Sequence, residues 1–207
     1  NPEAVYSMPY GFIKKAPDGL EEPAQKWISV NGDNGGISLI NNGRYSFCVK
    51  DNEMRMIAAR TCAYLDHFGQ RSRDDEIAFI DMDELELEYA LIPHAKDDFT
   101  AVVKEAEVLN MPLQLYQETH HKGTLPPVFE GITVDCDNVI VTALKLSEDG
   151  TGYIARAVEC ASKPVMAEFN FKLLDRKFAF DFKPQEIKTI FIPKEGGSVK
   201  GVPITEK

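Results

Sequence analysis

Along most of the chain, apolar and polar positions alternate with a period of two. Residues 26–30, 36–40, 45–49 and 54–58 do so in short runs, separated by NGDNG, NNGR and KDNE. A strand presents successive side chains to opposite faces, so this alternation predicts strands buried on one side. Asn, Asp and Gly tolerate positive φ, and their clusters between the runs predict tight turns. The pattern is that of an antiparallel meander. It breaks at 64–80, where DHFGQRSRDDE reads as a long polar loop, and resumes with ELELEYALIPH at 84–94.

Residues 97–110 change period. Phe99, Val102, Val103 and Ala106 recur at i, i+3, i+4 and i+7, one face of a helix. Asp97 or Asp98 can cap its start, and Asn110 with Pro112 ends it. A connection with three prolines follows at 111–130. Period two then returns at 131–135, 139–145, 152–158, 165–171, 177–181 and 186–192, with a turn at 147–150. Many short strands at regular spacing predict a mainly β fold, an antiparallel β-sandwich with one short helix. The expected organisation is an extended lead-in at 1–25, the sandwich at 26–193 and a flexible tail at 194–207. No repeat of 20–50 residues is present.

ELELEYALIPH sets three carboxylates and a histidine in one run. As a strand it places Glu84, Glu86 and Glu88 on one face and Leu85, Leu87 and Tyr89 on the other. A catalytic carboxylate pair needs two environments that drive its pKa values apart. Three equivalent glutamates on an open face do not supply them, so the run reads as a half-buried strand with a solvated acidic face. His94 is expected to be hydrogen-bonded into the structure. His120 and His121 are adjacent, without a Cys or Asp at zinc-ligand spacing, and read as a solvated loop or the lip of a cleft.

Asp135-Cys136-Asp137-Asn138 starts like a calcium loop but lacks the later glycine and bidentate glutamate, so it reads as a turn. The glycines at 32–36 precede no helix and make no phosphate cradle. No G-x-S-x-G elbow is present. Trp27 reads as a buried ring rather than a sugar-stacking platform. No catalytic, cofactor-binding or metal-binding residue is assigned.

Charge removes one class. The formal net charge of −10 repels phosphate backbones, which excludes non-specific nucleic-acid binding. No apolar run approaches the roughly 18–20 residues that span a bilayer. The opening NPEAVYSMPYGF has neither the basic nor the apolar region of a signal peptide. The 207 residues, 43% apolar, suit one large domain or two small ones. Cys48, Cys62, Cys136 and Cys160 form no C-x-x-C pair, and all but Cys62 lie in or beside apolar strand runs. That predicts buried reduced thiols and a cytoplasmic location. On residues alone, this is an acidic β-domain for binding or support, with no complete catalytic constellation.

Five stretches, taken in order, match a family pattern. They are YGFIKKAPDGLEEPAQKWI from Tyr10 to Ile28, GGISLINNGRY at 35–45 and MRMIAAR at 54–60. Then come EYALIPHA at 88–95, with the helix and LNMP behind it, and VIVTALKLSEDG at 139–150. Together they resemble the C-terminal β-sandwich region of glycoside hydrolase family 38, the α-mannosidases, in bacterial style. The resemblance runs from about Tyr10 to about Pro193.

It implies a galactose-mutarotase-like supersandwich. It also implies retaining hydrolysis of α-mannosidic bonds, with a carboxylate nucleophile and a second carboxyl as acid and then base. The family's zinc, held by His and Asp ligands, grips the sugar hydroxyls. Those groups lie in an N-terminal α/β barrel followed by a three-helix bundle, and no position here matches them. The chain alone is therefore expected to be inactive and without a cofactor. Its implied partners are its own N-terminal barrel and a mannose-containing oligosaccharide, with no nucleic acid and no membrane; homo-oligomerisation stays open. Loops 64–76 and 116–127 are the candidates to reach the cleft. The alternative is a free-standing β-sandwich that binds carbohydrate or protein.

Overall fold

The computed structural model describes residues 2–63, 79–80, 82–124 and 126–206. Eight strands come first: β1 (Glu3–Met8), β2 (Gly11–Lys15), β3 (Asp18–Pro23), β4 (Trp27–Asn31), β5 (Gly36–Asn41), β6 (Ser46–Lys50), β7 (Glu53–Met56) and β8 (Tyr89–His94). Helix α1 (Thr100–Asn110) follows. The remaining strands are β9 (Ile132–Val134), β10 (Val139–Leu146), β11 (Gly152–Glu159), β12 (Val165–Phe171), β13 (Arg176–Phe182), β14 (Ile187–Pro193) and β15 (Lys200–Val202). All recorded pairings between strands are antiparallel. Among the described residues the fold is thus mainly β and antiparallel with one α-helix.

The chain divides into two compact units. The first holds Asn1–Met8, Ile13–Lys96 and Glu105–Met111; the second holds Pro9–Phe12, Asp97–Lys104 and Pro112–Lys207. The boundaries expected at 25/26 and 193/194 fall inside these units: three strands precede the first and β15 follows the second. β1 escapes the period-two pattern because it is flanked by β2 and β4 and Ala4, Val5, Tyr6 and Ser7 are all buried, so it shows no alternation. β3, with sequence DGLEEP, is acidic and ends in proline, a composition tolerated on the outer strand of a sheet.

In the first unit a five-stranded sheet runs in the order β2-β1-β4-β5-β8 and a second in the order β3-β6-β7. Ala4 and Tyr6 on β1 and Ile28 on β4 meet Phe47 and Val49 on β6 in one core. Val30, Leu39, Met54 and Met56 pack around it. Tight turns set the register. Between β6 and β7, Lys50 pairs with Glu53, and Asp51 takes a φ of 53°, the left-handed region that a short polar side chain tolerates. Lys26 Nζ reaches both carboxylate oxygens of Glu107 at 2.6 Å, and Asn110 Nδ2 donates to the Asn41 carbonyl at 2.8 Å.

In the second unit, sheet β10-β11-β14-β15 and sheet β13-β12-β9 share one core. β12 alternates cleanly, with Ala167, Phe169 and Phe171 buried while Met166 and Glu168 are exposed. The opposing sheet contributes the small Ala155 and Ala157 with Ile190 and Ile192, which leaves volume for the phenylalanine rings. Phe169 stacks on Phe178 at 5.1 Å between centroids. The turn after β10 is built around Asp149. Its Oδ1 accepts from the Ser147 hydroxyl at 2.7 Å, the Thr151 N–H at 3.0 Å and the Thr151 hydroxyl at 2.8 Å.

Those donors, the Ser147 hydroxyl foremost, hold the Asp149 carboxyl down at about 2. Because the folded value lies below the unfolded value of about 3.9, the turn's stabilisation is complete above the unfolded value. It is lost as pH falls through about 2. Carbon NMR of the side-chain carboxyl should titrate with a midpoint near 2, and Ser147→Ala should move it upward.

Candidate functional site

The strand expected over 84–94 forms only as β8, Tyr89–His94. Residues 84–88 alternate in sequence but have no ladder: β5 ends at the pair Asn41 and Tyr89, and the chain opposite turns away at Asn42 and Gly43. Glu84, Glu86 and Glu88 are exposed. Glu88 Oε2 accepts from Asn42 Nδ2 at 3.0 Å, and its N–H donates to Asn42 Oδ1 at 3.1 Å. The acidic run is a solvated approach to the strand, and its carboxylates do not converge.

His94 is tied into the first unit on both ring nitrogens. Nδ1 lies 2.8 Å from the Ala95 carbonyl, which can only accept, so Nδ1 carries the hydrogen. Nε2 then faces the hydroxyls of Ser29, at 2.9 Å, and Ser38, at 3.1 Å, on the neighbouring strands. Both serines are fully buried. Gly36 sits against this cluster: a Cβ there would lie 2.3 Å from Asn31 Oδ1 and 2.6 Å from His94 Cε1. The arrangement pins β8 to β4 and β5. His94→Ala should cost about 1–3 kcal/mol by leaving the buried Ser38 hydroxyl without its His94 partner, while Ser29 keeps the Ile37 carbonyl at 3.2 Å. The emission of Trp27, the single tryptophan and buried in the same unit, should report the lower urea midpoint.

The other candidates separate in space. His120 and His121 are exposed, and His121 Nδ1 donates to the Lys122 carbonyl at 3.1 Å. Asp135, Asp137 and Asn138 form the turn between β9 and β10, each engaged elsewhere. Asp135 Oδ1 accepts from the Glu168 N–H at 2.8 Å, Asp137 pairs with Lys104 at 2.6 Å, and Asn138 Nδ2 donates to Glu159 Oε1 at 3.0 Å. Gly32 and Gly35 close the β4–β5 hairpin through an N–H to carbonyl bond of 2.8 Å. Trp27 is buried. Loop 64–76 lies outside the described residues. In 116–127 the described residues are exposed and form no helix or strand.

Two polar features escaped sequence reasoning. Glu159 is fully buried at the end of β11 and accepts from Asn138, from the Ala161 N–H at 2.8 Å and from the Gln185 N–H at 2.9 Å. Next to it, burial above all pushes the Cys160 thiol up to about 12, so the thiolate that would react is suppressed. Asn31 is buried, and its side-chain amide meets no partner among the described residues.

Among the described residues no three of His, Cys, Asp and Glu form a group that could hold a metal ion. A groove of about 570 Å³ beside β9 and β10 is lined by Ile132, Val134, Val139, Val141 and Leu144, with the Lys104–Asp137 pair at its rim. None of its lining side chains is aromatic, so it offers no ring on which a sugar could stack. Several of the described ionisable groups are held in local hydrogen bonds and ion pairs, and the class is an antiparallel β-sandwich chain.

Comparison with known proteins agrees with that class. No family model matches the chain. In sequence it is 24% identical over 191 residues to alpha-mannosidase G of Dictyostelium discoideum, a match covering 84% of this chain and 16% of that one. In structure it superposes on an alpha-mannosidase from Enterococcus faecalis with a TM-score of 0.71 and 16% identity, over 92% of this chain and 24% of that chain. A protein in glycosyl hydrolase family 38 from the same organism gives 0.72, 16%, 92% and 25%. The resemblance to family 38 α-mannosidases is thus found in both sequence and fold. The chain spans a quarter or less of the length of each of these relatives.

Proposed function

We propose that this chain is the C-terminal, non-catalytic region of a retaining α-mannosidase of the family 38 type. In that reading it supports a catalytic barrel carried elsewhere in a longer polypeptide and helps to shape the substrate cleft. The observation that carries the reading is the asymmetry of the structural match: 92% of this chain superposes on only 24–25% of each of the two solved chains. The dispersed acids and histidines fit it, because a scaffold needs no convergent carboxylates. The described residues offer no donor set suited to the family's zinc, so in this reading the metal and both carboxyls of the retaining mechanism belong to the other part of the polypeptide. A reducing, cytoplasmic setting belongs to the same reading. Its support is the spacing of the four cysteines and the inert, buried Cys160 thiol.

The test is to express the whole reading frame that encodes this chain and assay an aryl α-mannoside with and without added zinc. Turnover by the whole polypeptide, removed by a chelator and absent from the 207-residue chain, is the expected result. Enzyme-like turnover by the 207 residues alone would overturn the reading. So would a whole polypeptide that binds mannosides or another protein without hydrolysis.

A further inference from the structure

Asparagine is followed by glycine at three places, Asn31-Gly32, Asn34-Gly35 and Asn42-Gly43. Asparagine is a thermolabile residue, because the backbone nitrogen of the next residue can attack its side-chain carbonyl carbon. Glycine leaves that nitrogen uncrowded, since it has no Cβ. The attack needs two freedoms. The side-chain amide must be able to swing over its own backbone, and the following N–H must not be committed to an acceptor.

Two of the three sites lack both. Asn31 is 1% exposed, on β4, and pairs with Glu3 and Gly36 on the flanking strands. The Gly32 N–H donates to the Gly35 carbonyl at 2.8 Å. At Asn42 the side chain is held at both ends by Glu88: Nδ2 donates to Oε2 at 3.0 Å, and Oδ1 accepts the Glu88 N–H at 3.1 Å. The Gly43 N–H donates to Asn41 Oδ1 at 2.9 Å. Asn34 differs on each count. It is exposed at the tip of the β4–β5 hairpin, and neither its amide nor the Gly35 N–H has a hydrogen-bond partner among the described residues.

We propose that Asn34 is a site of spontaneous deamidation, and that the fold protects Asn31 and Asn42 from the same reaction. The Gly35 nitrogen gives up its proton and bonds to Asn34 Cγ. The side-chain nitrogen leaves as ammonia, and a cyclic succinimide remains. Water then opens the ring at one carbonyl or the other, which gives an aspartate or an isoaspartate at position 34. Either product adds one negative charge to the formal −10 and sets a carboxylate next to Asp33. The isoaspartate also lengthens the backbone by one methylene inside a hairpin that the Gly32–Gly35 bond closes. The site depends on the hairpin alone and holds whatever reaction the longer polypeptide performs.

The experiment uses the whole polypeptide. It is held at mildly alkaline pH, which favours the attacking nitrogen, in two portions, one native and one in urea. Both are sampled over time by peptide mass spectrometry, with fragmentation that localises the change to one residue. The native portion should show the mass gain of an amide converted to an acid at Asn34, in aspartate and isoaspartate forms. Asn31 and Asn42 should keep their amides over the same period. In urea, where the restraints are gone, all three should react. Asn34→Gln should stay unmodified at that position, since its longer side chain has to close a larger ring. Native reaction at Asn31 or Asn42 as fast as at Asn34 would overturn the protection. An intact Asn34 in the native portion, with reaction there in urea, would overturn the site. Aspartate without isoaspartate would overturn the succinimide route.

Discussion

Phe169→Ala is expected to lower the stability of the second unit by about 3–5 kcal/mol, the range for truncating a buried phenylalanine. The ring is 1% exposed on the central strand of sheet β13-β12-β9. It stacks on Phe178 at an interplanar angle of 12° and leans on Phe182 at 6.2 Å. Its removal leaves a cavity facing Ala155 and Ala157 in the same core, and alanines are too short to fill it. A typical domain has only about 5–15 kcal/mol in total, so this is a large fraction of the whole. In urea, with a slope of about 2 kcal/mol/M, the midpoint followed by far-UV circular dichroism should fall by roughly 1.5–2.5 M. Leu113→Ala is the matched control: that side chain is 99% exposed, and its removal should stay within about 0.5 kcal/mol. Equal effects of the two substitutions would refute the assignment of this core.

The contrast between β12 and β1 explains what the sequence could disclose. β12 alternates buried and exposed positions over Val165–Phe171, and the strand read from the alternation at 165–171 is the strand observed. β1 is buried along most of its length, and its identity depends on flanking strands that local periodicity does not register. The reverse failure occurs at 84–88, where perfect alternation meets no partner strand among the described residues. Alternation is necessary for a half-buried strand, but hydrogen bonds to a neighbour make one. Helix α1 was legible because its apolar stripe and its end at Asn110 are local. At its start Asp98, one of the two expected caps, accepts the Thr100 N–H at 3.2 Å, while Asp97 adopts a φ of 56°. The pinned role expected for His94 was legible in kind. Its partners Ser29 and Ser38 lie 65 and 56 residues away, so no motif could name them.

Glu159 shows the same limit, and Glu159→Ala is the second large effect to expect, a loss of about 2–4 kcal/mol. In sequence it reads as a charged residue closing a strand. In the fold it joins three segments, with donors at Asn138, Ala161 and Gln185. Truncation leaves the Ala161 and Gln185 N–H groups without this acceptor, while Asn138 Nδ2 keeps the Lys163 carbonyl at 3.4 Å. A buried unpaired donor costs about 1–3 kcal/mol, and bonds to a carboxylate are the stronger kind. The sum falls short of two full penalties because Gln185 is an exposed residue whose N–H can reach water, and because the cost of burying the charge is recovered. The loss should spread locally. Gln185 has a φ of 55°, its Oε1 accepts the Phe12 N–H at 3.3 Å and its Nε2 donates to the Ser162 hydroxyl at 2.6 Å, so releasing its backbone loosens that turn. Amide exchange at Ala161 and Gln185 should quicken before that of the β11 core. Glu159→Gln separates the terms. It keeps the volume and one strong acceptor but turns an amide donor toward a backbone donor, so about half the loss should remain. If Glu159→Ala matched the parent within about 0.5 kcal/mol, the carboxylate would be solvated rather than buried, and the three segments would have to be held by apolar contact alone.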